Sequence, residues 1–170
     1  MKRVLIFLLA VSFSFSFVAC EKIVPEKVAS NTTSESESKT QKQVFNIGDT
    51  IKAGKGEFTV NGIREYYGSE FLKPKDGKMY YVVDISVENI SQDSLNLSSI
   101  MMFKLFDSES YSHDVSIVTD LKGSLDAQVS PGNKIRGEIA FEIDKNSSGL
   151  KLQIRPSLWG SGDITVKLDR

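Results

Sequence analysis

The sequence predicts an all-β fold, an antiparallel sandwich of about seven or eight strands with next to no helix. Three observations lead there. Lys78–Asn89 sets Met79, Tyr81, Val83, Ile85 and Val87 at alternate positions with Lys78, Asp84, Ser86 and Glu88 between them, which is the period of a strand with one wet face. From Val44 onward, short apolar runs are separated by turn residues at intervals of about eight to twelve positions, the spacing of sandwiches and barrels. The third is the lack of amphipathic stretches between those runs to act as crossover helices, which a parallel sheet would need.

Before the domain come two segments of different character. In residues 1–19, Lys2-Arg3 precedes an uncharged run from Val4 to Val18 rich in Leu, Phe and Ser, the basic and apolar regions of a secretory signal. At about 15 residues the run is shorter than the roughly 20 needed to span a bilayer. It ends in Phe17-Val18-Ala19-Cys20, which resembles a bacterial lipobox: a small residue for the peptidase, then a thiol to be acylated, with Phe17 where Leu is commoner. Cys20 is the only cysteine of the chain, so no disulfide framework or thiolate metal site is available. The expectation is a mature protein that begins at Cys20 and is held to the extracytoplasmic face of a bacterial cell membrane. Two acyl chains, at about 0.8 kcal/mol per buried CH₂, suffice for that without a membrane helix. Residues 20–43 are dominated by Ser, Thr, Glu, Lys, Gln and Asn, too little apolar surface to order a chain, and are expected to form a disordered tether.

Residues 44–170 are expected to form the domain. Val44–Ile47 leads to a turn at Gly48-Asp49 and on to Thr50-Ile51. Glu57–Val60 alternates and meets a turn or bulge at Asn61-Gly62 before Ile63–Tyr66. Tyr67 to Gly77 is a long connection, a kind of loop that is either functional or held down by its own side chains. Lys78–Asn89 follows as the central strand, stopped by the turn chemistry of Asn89, Ser91 and Asp93. After Leu95 and Leu97, the run Met101–Phe106 puts Met101, Phe103 and Leu105 on one face, and Asp107–Ser110 reads as a hairpin turn into Tyr111. Val115–Ile117 is a short edge strand, and Asp120–Ala127 a single helical turn. Pro131-Gly132 then starts Lys134–Asp144, whose apolar face (Ile135, Ile139, Phe141, Ile143) matches the central strand and is expected to pair with it. Leu150–Arg155 and Ile164–Asp169 close the sandwich.

Gly48, Pro74 to Gly77, Tyr80–Asp84, Asn89, Phe103 to Tyr111, Pro131–Gly137 and Ala140–Ile143 together resemble the telokin-like, immunoglobulin-like domain of bacterial lipoproteins, a family catalogued as a domain of unknown function. The likeness runs over Val44 to Arg170. It implies an immunoglobulin-like sandwich on a lipid-anchored stalk and no catalytic residues, since turns and strand faces identify a fold and not an activity. One departure is Ser110, where the family tends to carry Gly, and a non-Gly residue there argues against a positive φ.

The formal charge of −1 carries no basic excess of the kind nucleic acid selects. His113, the only histidine, lies beside Asp114 and close to Asp107 and Glu109, which offers a small-ligand or metal site as an alternative function. One His without Cys falls short of the usual zinc set, and the acidic run lacks the Gly and terminal Glu of a calcium loop. No Gly-x-Ser-x-Gly elbow occurs, so no enzyme and no cofactor are expected. For protein binding, the candidates are aromatics on loops: Tyr66, Tyr67, Phe71 and Trp159. Tyr66 and Trp159 have the competing role of closing the core. The expected protein is a monomeric, non-enzymatic, lipid-anchored interaction module.

Overall fold

The computed structural model describes residues 26–27, 43–157 and 162–168. The strands are β1 (Glu26–Lys27), β2 (Val44–Asn46), β3 (Thr50–Ala53), β4 (Gly56–Tyr66), β5 (Lys78–Asn89), β6 (Leu95–Leu97), β7 (Phe103–Phe106), β8 (Ser112–His113), β9 (Val115–Ser116), β10 (Ala127–Val129), β11 (Lys134–Asp144), β12 (Lys151–Ile154) and β13 (Ile164–Lys167), with one helical turn, α1 (Ser99–Met102). They form a six-stranded sheet β1-β3-β4-β5-β11-β9, a five-stranded sheet β2-β13-β12-β7-β8 and a two-stranded ribbon β10-β6. The sandwich is as predicted; the larger number of segments arises from strands of two or three residues at the edges, which the alternation of a sequence cannot mark. All pairs are antiparallel except β2 with β13.

β5 and β11 pair without interruption from Lys134↔Glu88 to Asp144↔Lys78. Their inward side chains, Met79, Tyr81, Val83, Ile85 and Val87 with Ile139, Phe141 and Ile143, meet Phe45, Leu105, Leu152, Ile154 and Val166 from the other sheet in one core. Val83, Ile85, Val87, Phe141, Leu105 and Leu152 are wholly buried, each at about 1.5–3 kcal/mol of transfer free energy.

The expected irregularity at Asn61-Gly62 is a bulge inside one continuous strand: Val60 pairs with Ile85 and Gly62 with Asp84, leaving Asn61 as the extra residue. Its consequence is a change of face. Phe58 and Val60 point into the core, and without the bulge Arg64 and Tyr66 would follow them; the slip sends both to the outer face of the sheet.

That outer face is not simply wet. Tyr80 and Val82 of β5, Ala140 of β11 and Val118 form a second buried cluster, flanked by Tyr66, Leu72 and Leu121. Two loops lie over it. The 67–77 connection is held by a bond of its own and by two to the sheet beneath it: Ser69 N donates to Leu72 O at 2.8 Å, Tyr80 Oη to Lys73 O at 3.4 Å and Lys75 N to Glu142 Oε1 at 2.9 Å. The 117–126 segment is an irregular loop rather than a helical turn, because Gly123 bridges Gly137 of β11 and Ala127–Val129 pairs with β6. A Cβ on Gly123 would lie 2.5 Å from Arg136 O, and one on Gly137 2.8 Å from the Ser124 carbonyl carbon. Gly137→Ala is therefore expected to lift this segment, seen as faster amide exchange at Lys122 to Leu125 with the main core unchanged.

The helical turn occurs earlier, at Ser99–Met102. Asp126 pins it from across the fold, accepting Ser99 N at 2.7 Å and Ser99 Oγ at 2.6 Å. Met101 thus does not share a face with Phe103 and Leu105; it is 54% exposed. A second correction concerns Ser110, which has φ 69°. Asp107 forces it there: its Oδ1 accepts the N–H groups of Glu109 at 3.0 Å and Tyr111 at 2.9 Å, and its backbone bonds Ser110 and Tyr111. A left-handed non-Gly residue costs about 1–2 kcal/mol, part of which Gly would return as unfolded-state entropy. Ser110→Gly should raise stability by about 0.5–1 kcal/mol, read as a higher urea midpoint at unchanged slope.

A third difference is in the tether. Glu26 and Lys27 are a strand on the outer edge of β3, with Glu26↔Lys52 and Lys27↔Ile51 in register. The exposed N–H and C=O groups of an edge are a template for any extended segment within reach, whatever its side chains.

Candidate functional site

On the outer face of the six-stranded sheet, the bulge and the pairing of β4, β5 and β11 bring together two charge pairs. Arg64 grips Glu138 with two bonds, 3.1 Å from Nε and 2.7 Å from Nη2. Glu138 is buried and also accepts the Lys122 N–H at 3.0 Å, tying the 117–126 segment to the sheet. The Arg64 guanidinium further lies 5.4 Å above the Tyr66 ring. Beside it, Arg136 donates to Asp84 at 2.9 Å from Nε and 2.5 Å from Nη2, and the bulged Asn61 amide donates to Asp84 Oδ1 at 3.1 Å and Ser86 Oγ at 3.0 Å. The Arg64 hydrogen bonds hold the Glu138 carboxyl below the ordinary glutamate range against the opposing effect of burial, and the Arg136 bonds do the same for Asp84. Fully engaged bidentate pairs of this kind fix geometry.

Tyr66 belongs to this structure and not to a free surface. Its ring stacks on Tyr80 at 6.2 Å, and its hydroxyl donates to Asp120 at 2.6 Å, a bond that raises its pKa above the usual phenol value. Its competing role as a packing residue is the one it fills, although on the outer cluster and not in the main core. Tyr67 and Phe71 are different: Tyr67 is 56% exposed and Phe71 94% exposed. The Tyr67 hydroxyl bonds to Glu65, and the Lys145 ammonium lies 5.7 Å from its ring centroid. Trp159 and Cys20 lie outside the described residues.

Tyr111, 65% exposed, joins the same end of the sandwich and was not singled out from sequence. A continuous rim connects it to Tyr67. Lys145 N bonds Gly77 O at 3.2 Å behind the Tyr67 loop, and Ser108 N bonds Ser148 O at 2.9 Å beside the Tyr111 turn. The signal available in the sequence was its place directly after a polar turn, where no apolar neighbour remains to cover a ring.

His113 is not presented to a ligand. Its Nε2 lies 3.1 Å from Asp107 Oδ2 with both side chains largely covered. Burial works to raise the Asp107 carboxyl, but the His113 bond and two backbone N–H groups outweigh it and leave it lowered. Asp114 pairs instead with Lys104 at 3.0 Å. Among the described residues no three His, Cys, Asp or Glu side chains gather where an ion would need them.

Two sheets packed face to face around one core, antiparallel but for the β2–β13 pair, define an immunoglobulin-like β-sandwich. The chain belongs to the family described as a domain of unknown function, DUF4352, which it matches over residues 45–164. It is 30% identical over 125 residues to the uncharacterized protein YxkC of Bacillus subtilis, covering 66% of this chain and 69% of that one. To the uncharacterized lipoprotein YjhA of the same organism it is 27% identical over 165 residues, 79% of this chain and 75% of that one. The crystal structure of YjhA superposes with a TM-score of 0.63 at 24% identity, over 74% of this chain and 99% of that one. An uncharacterized β-sandwich protein of Clostridium difficile gives 0.54 at 17% identity, over 79% of this chain and all 100% of the other. These structural likenesses concern the fold. One of these homologues, YjhA, is thus described as a lipoprotein, and no helix among the described residues of this chain is long and apolar enough to cross a membrane.

Proposed function

We propose that the protein is a lipid-anchored extracytoplasmic lipoprotein whose sandwich is a non-enzymatic protein-binding module, with Tyr67, Phe71 and Tyr111 as the partner-facing aromatics. The carrying observation is that these three exposed rings share one end of the sandwich, on a rim braced by backbone bonds. Exposed aromatics on a rigid support are what interface anchors require, because their contact area is large and their ordering cost small. The lipobox-like end at Cys20 and a lipoprotein among the homologues support the anchor. The outer-face carboxylates Asp84 and Glu138 are engaged by Arg136 and Arg64, which supports a binding role over an acid–base one.

Two measurements test the reading. An inhibitor of the lipoprotein signal peptidase should leave a heavier precursor in the producing cells, and an unchanged mass would remove the anchor. A photocrosslinking residue at Phe71 should capture a discrete protein on intact cells, whereas the same residue at Lys52 should not; equal capture at both positions would mean that the aromatic end is not the interface.

A further inference from the structure

We propose that the opposite end of the sandwich, carrying Ile90, Ile100 and Met101 with Lys55 and Arg155, rests directly on the phospholipid bilayer that holds the acylated Cys20. This rests on the anchor reading above.

The first part of the argument is direction. β1 runs antiparallel to β3, with Glu26 opposite Lys52 and Lys27 opposite Ile51. The N-terminal end of β1, at Glu26, is therefore directed toward the Gly54-Lys55 turn that joins β3 to β4. The same end holds the close of β5 and the start of β11, since Gly56 pairs with Asn89 and Lys134 with Glu88. Tyr67 and Phe71, beyond the far end of β4, lie at the other extreme.

The second part is length. From Cys20 to Glu26 is six residues, a reach of at most about 20 Å when fully extended. Counted to Val44 instead, the tether would be four times as long. Docked β1 therefore keeps this end within about 20 Å of the acylated residue, a quarter of the span counted to Val44.

The third part is what that end displays. Ile90 is 42% exposed, Ile100 64% and Met101 54%. Ile90 N bonds Lys55 O at 3.0 Å, and Met101 lines one groove with Lys55 and Arg155. Apolar side chains next to long cationic ones are the combination that enters an anionic lipid interface. The cations are not naked, for Lys55 pairs with Asp93 at 2.9 Å and Arg155 with Asp163 at 3.6 Å. Asp93 is an exposed surface acid, so the Lys55 pair can be exchanged for phosphate at little cost; Asp163 is half-buried and also accepts Gln153 Nε2 at 2.6 Å, which makes the Arg155 pair the firmer of the two.

The test uses the full lipidated chain in vesicles of phosphatidylglycerol and phosphatidylethanolamine. Bimane is attached at Met101→Cys or at Phe71→Cys, and quenching by shallow doxyl lipids is measured. Quenching several-fold stronger at position 101 than at 71 is expected; equal quenching at the two would overturn the proposal. Lys27→Pro in the Met101→Cys background removes the β1 pairing, and should reduce the signal toward that of position 71 while the protein still floats with the vesicles. Unchanged quenching in that variant would also overturn it, since the strand would not be what holds the end down. Loss of flotation, or a free thiol at Cys20, would refute the anchor itself and is read separately from the quenching ratio.

Discussion

Asn89→Ala is expected to cost about 3 kcal/mol of folding stability, roughly 10 °C in Tm for a domain of this size. Asn89 has no exposed surface. Its amide donates to Asp93 O at 2.7 Å and Val129 O at 2.8 Å, and its side-chain oxygen accepts Ser91 N at 3.0 Å and Ser91 Oγ at 2.9 Å. Its backbone accepts Gly132 N and donates to Asn133 O, both at 2.9 Å. One side chain thus joins the end of β5 to the turn at 90–94 and to the approach to β11. Truncation removes the amide donor from the buried Val129 carbonyl and from Asp93 O, which keeps only Ser91 Oγ at 3.0 Å; a buried group left unpaired costs about 1–3 kcal/mol. Asn89→Asp, of equal size but without the amide donors, should be at least as damaging, while Ser91→Ala should cost under about 1 kcal/mol. Urea unfolding of the three variants checks the order; an Asn89→Asp variant near wild type would show that shape and not donation matters there.

The second large effect is at the Arg64–Glu138 pair. Arg64→Met leaves the buried Glu138 carboxylate with only the Lys122 N–H, and about 2 kcal/mol should be lost at neutral pH. That is less than the roughly 3–5 kcal/mol of a fully buried pair, because the Arg64 side chain is 37% exposed and water screens it. The pH dependence has a definite sign. Glu138 is held below its ordinary value of 4.5 in the folded protein, so the stability it brings is complete above that value and is lost as pH falls through the folded pKa. The gap between wild type and Glu138→Gln should therefore be constant from about pH 5.5 to 7 and shrink steadily below about pH 4.5. A gap that widens on acidification would mean that the carboxyl is protonated in the native state. Asp84, lowered chiefly by Arg136, adds to the wild-type loss in the same direction, and Asp84→Asn should flatten a further part of the curve.

Much of this could be read from the chain alone. The alternation in Lys78–Asn89 and Lys134–Asp144 fixed which side chains enter the main core, because period two admits only two registers and one would bury Glu88 and Arg136. Asn89, Ser91 and Asp93 announced the end of the central strand because short polar side chains bond their own backbone. That the Asn89 amide also reaches Val129, forty residues on, was not legible, since nothing local encodes a partner at that distance.

The same limit explains the corrections. Tyr80 and Val82 occupy positions that period two assigns to solvent, and they are buried only because two loops cross that face. Tyr66 joins them because of a one-residue slip at Asn61. Met101 alternates correctly for a strand, but Asp126 winds Ser99–Met102 into a turn. Ser110 takes a left-handed backbone because Asp107 gathers the amides on both sides of it.

What the sequence by itself determined is therefore the class of fold, the inner face of its central strands and most of its turns, all consequences of contacts between near neighbours or of a repeating period. Tertiary structure alone decided which exposed rings share an end, which carboxylates find an arginine, and where Glu26 and Lys27 dock on β3. Those depend on backbone edges and side chains that meet only once the two sheets have closed.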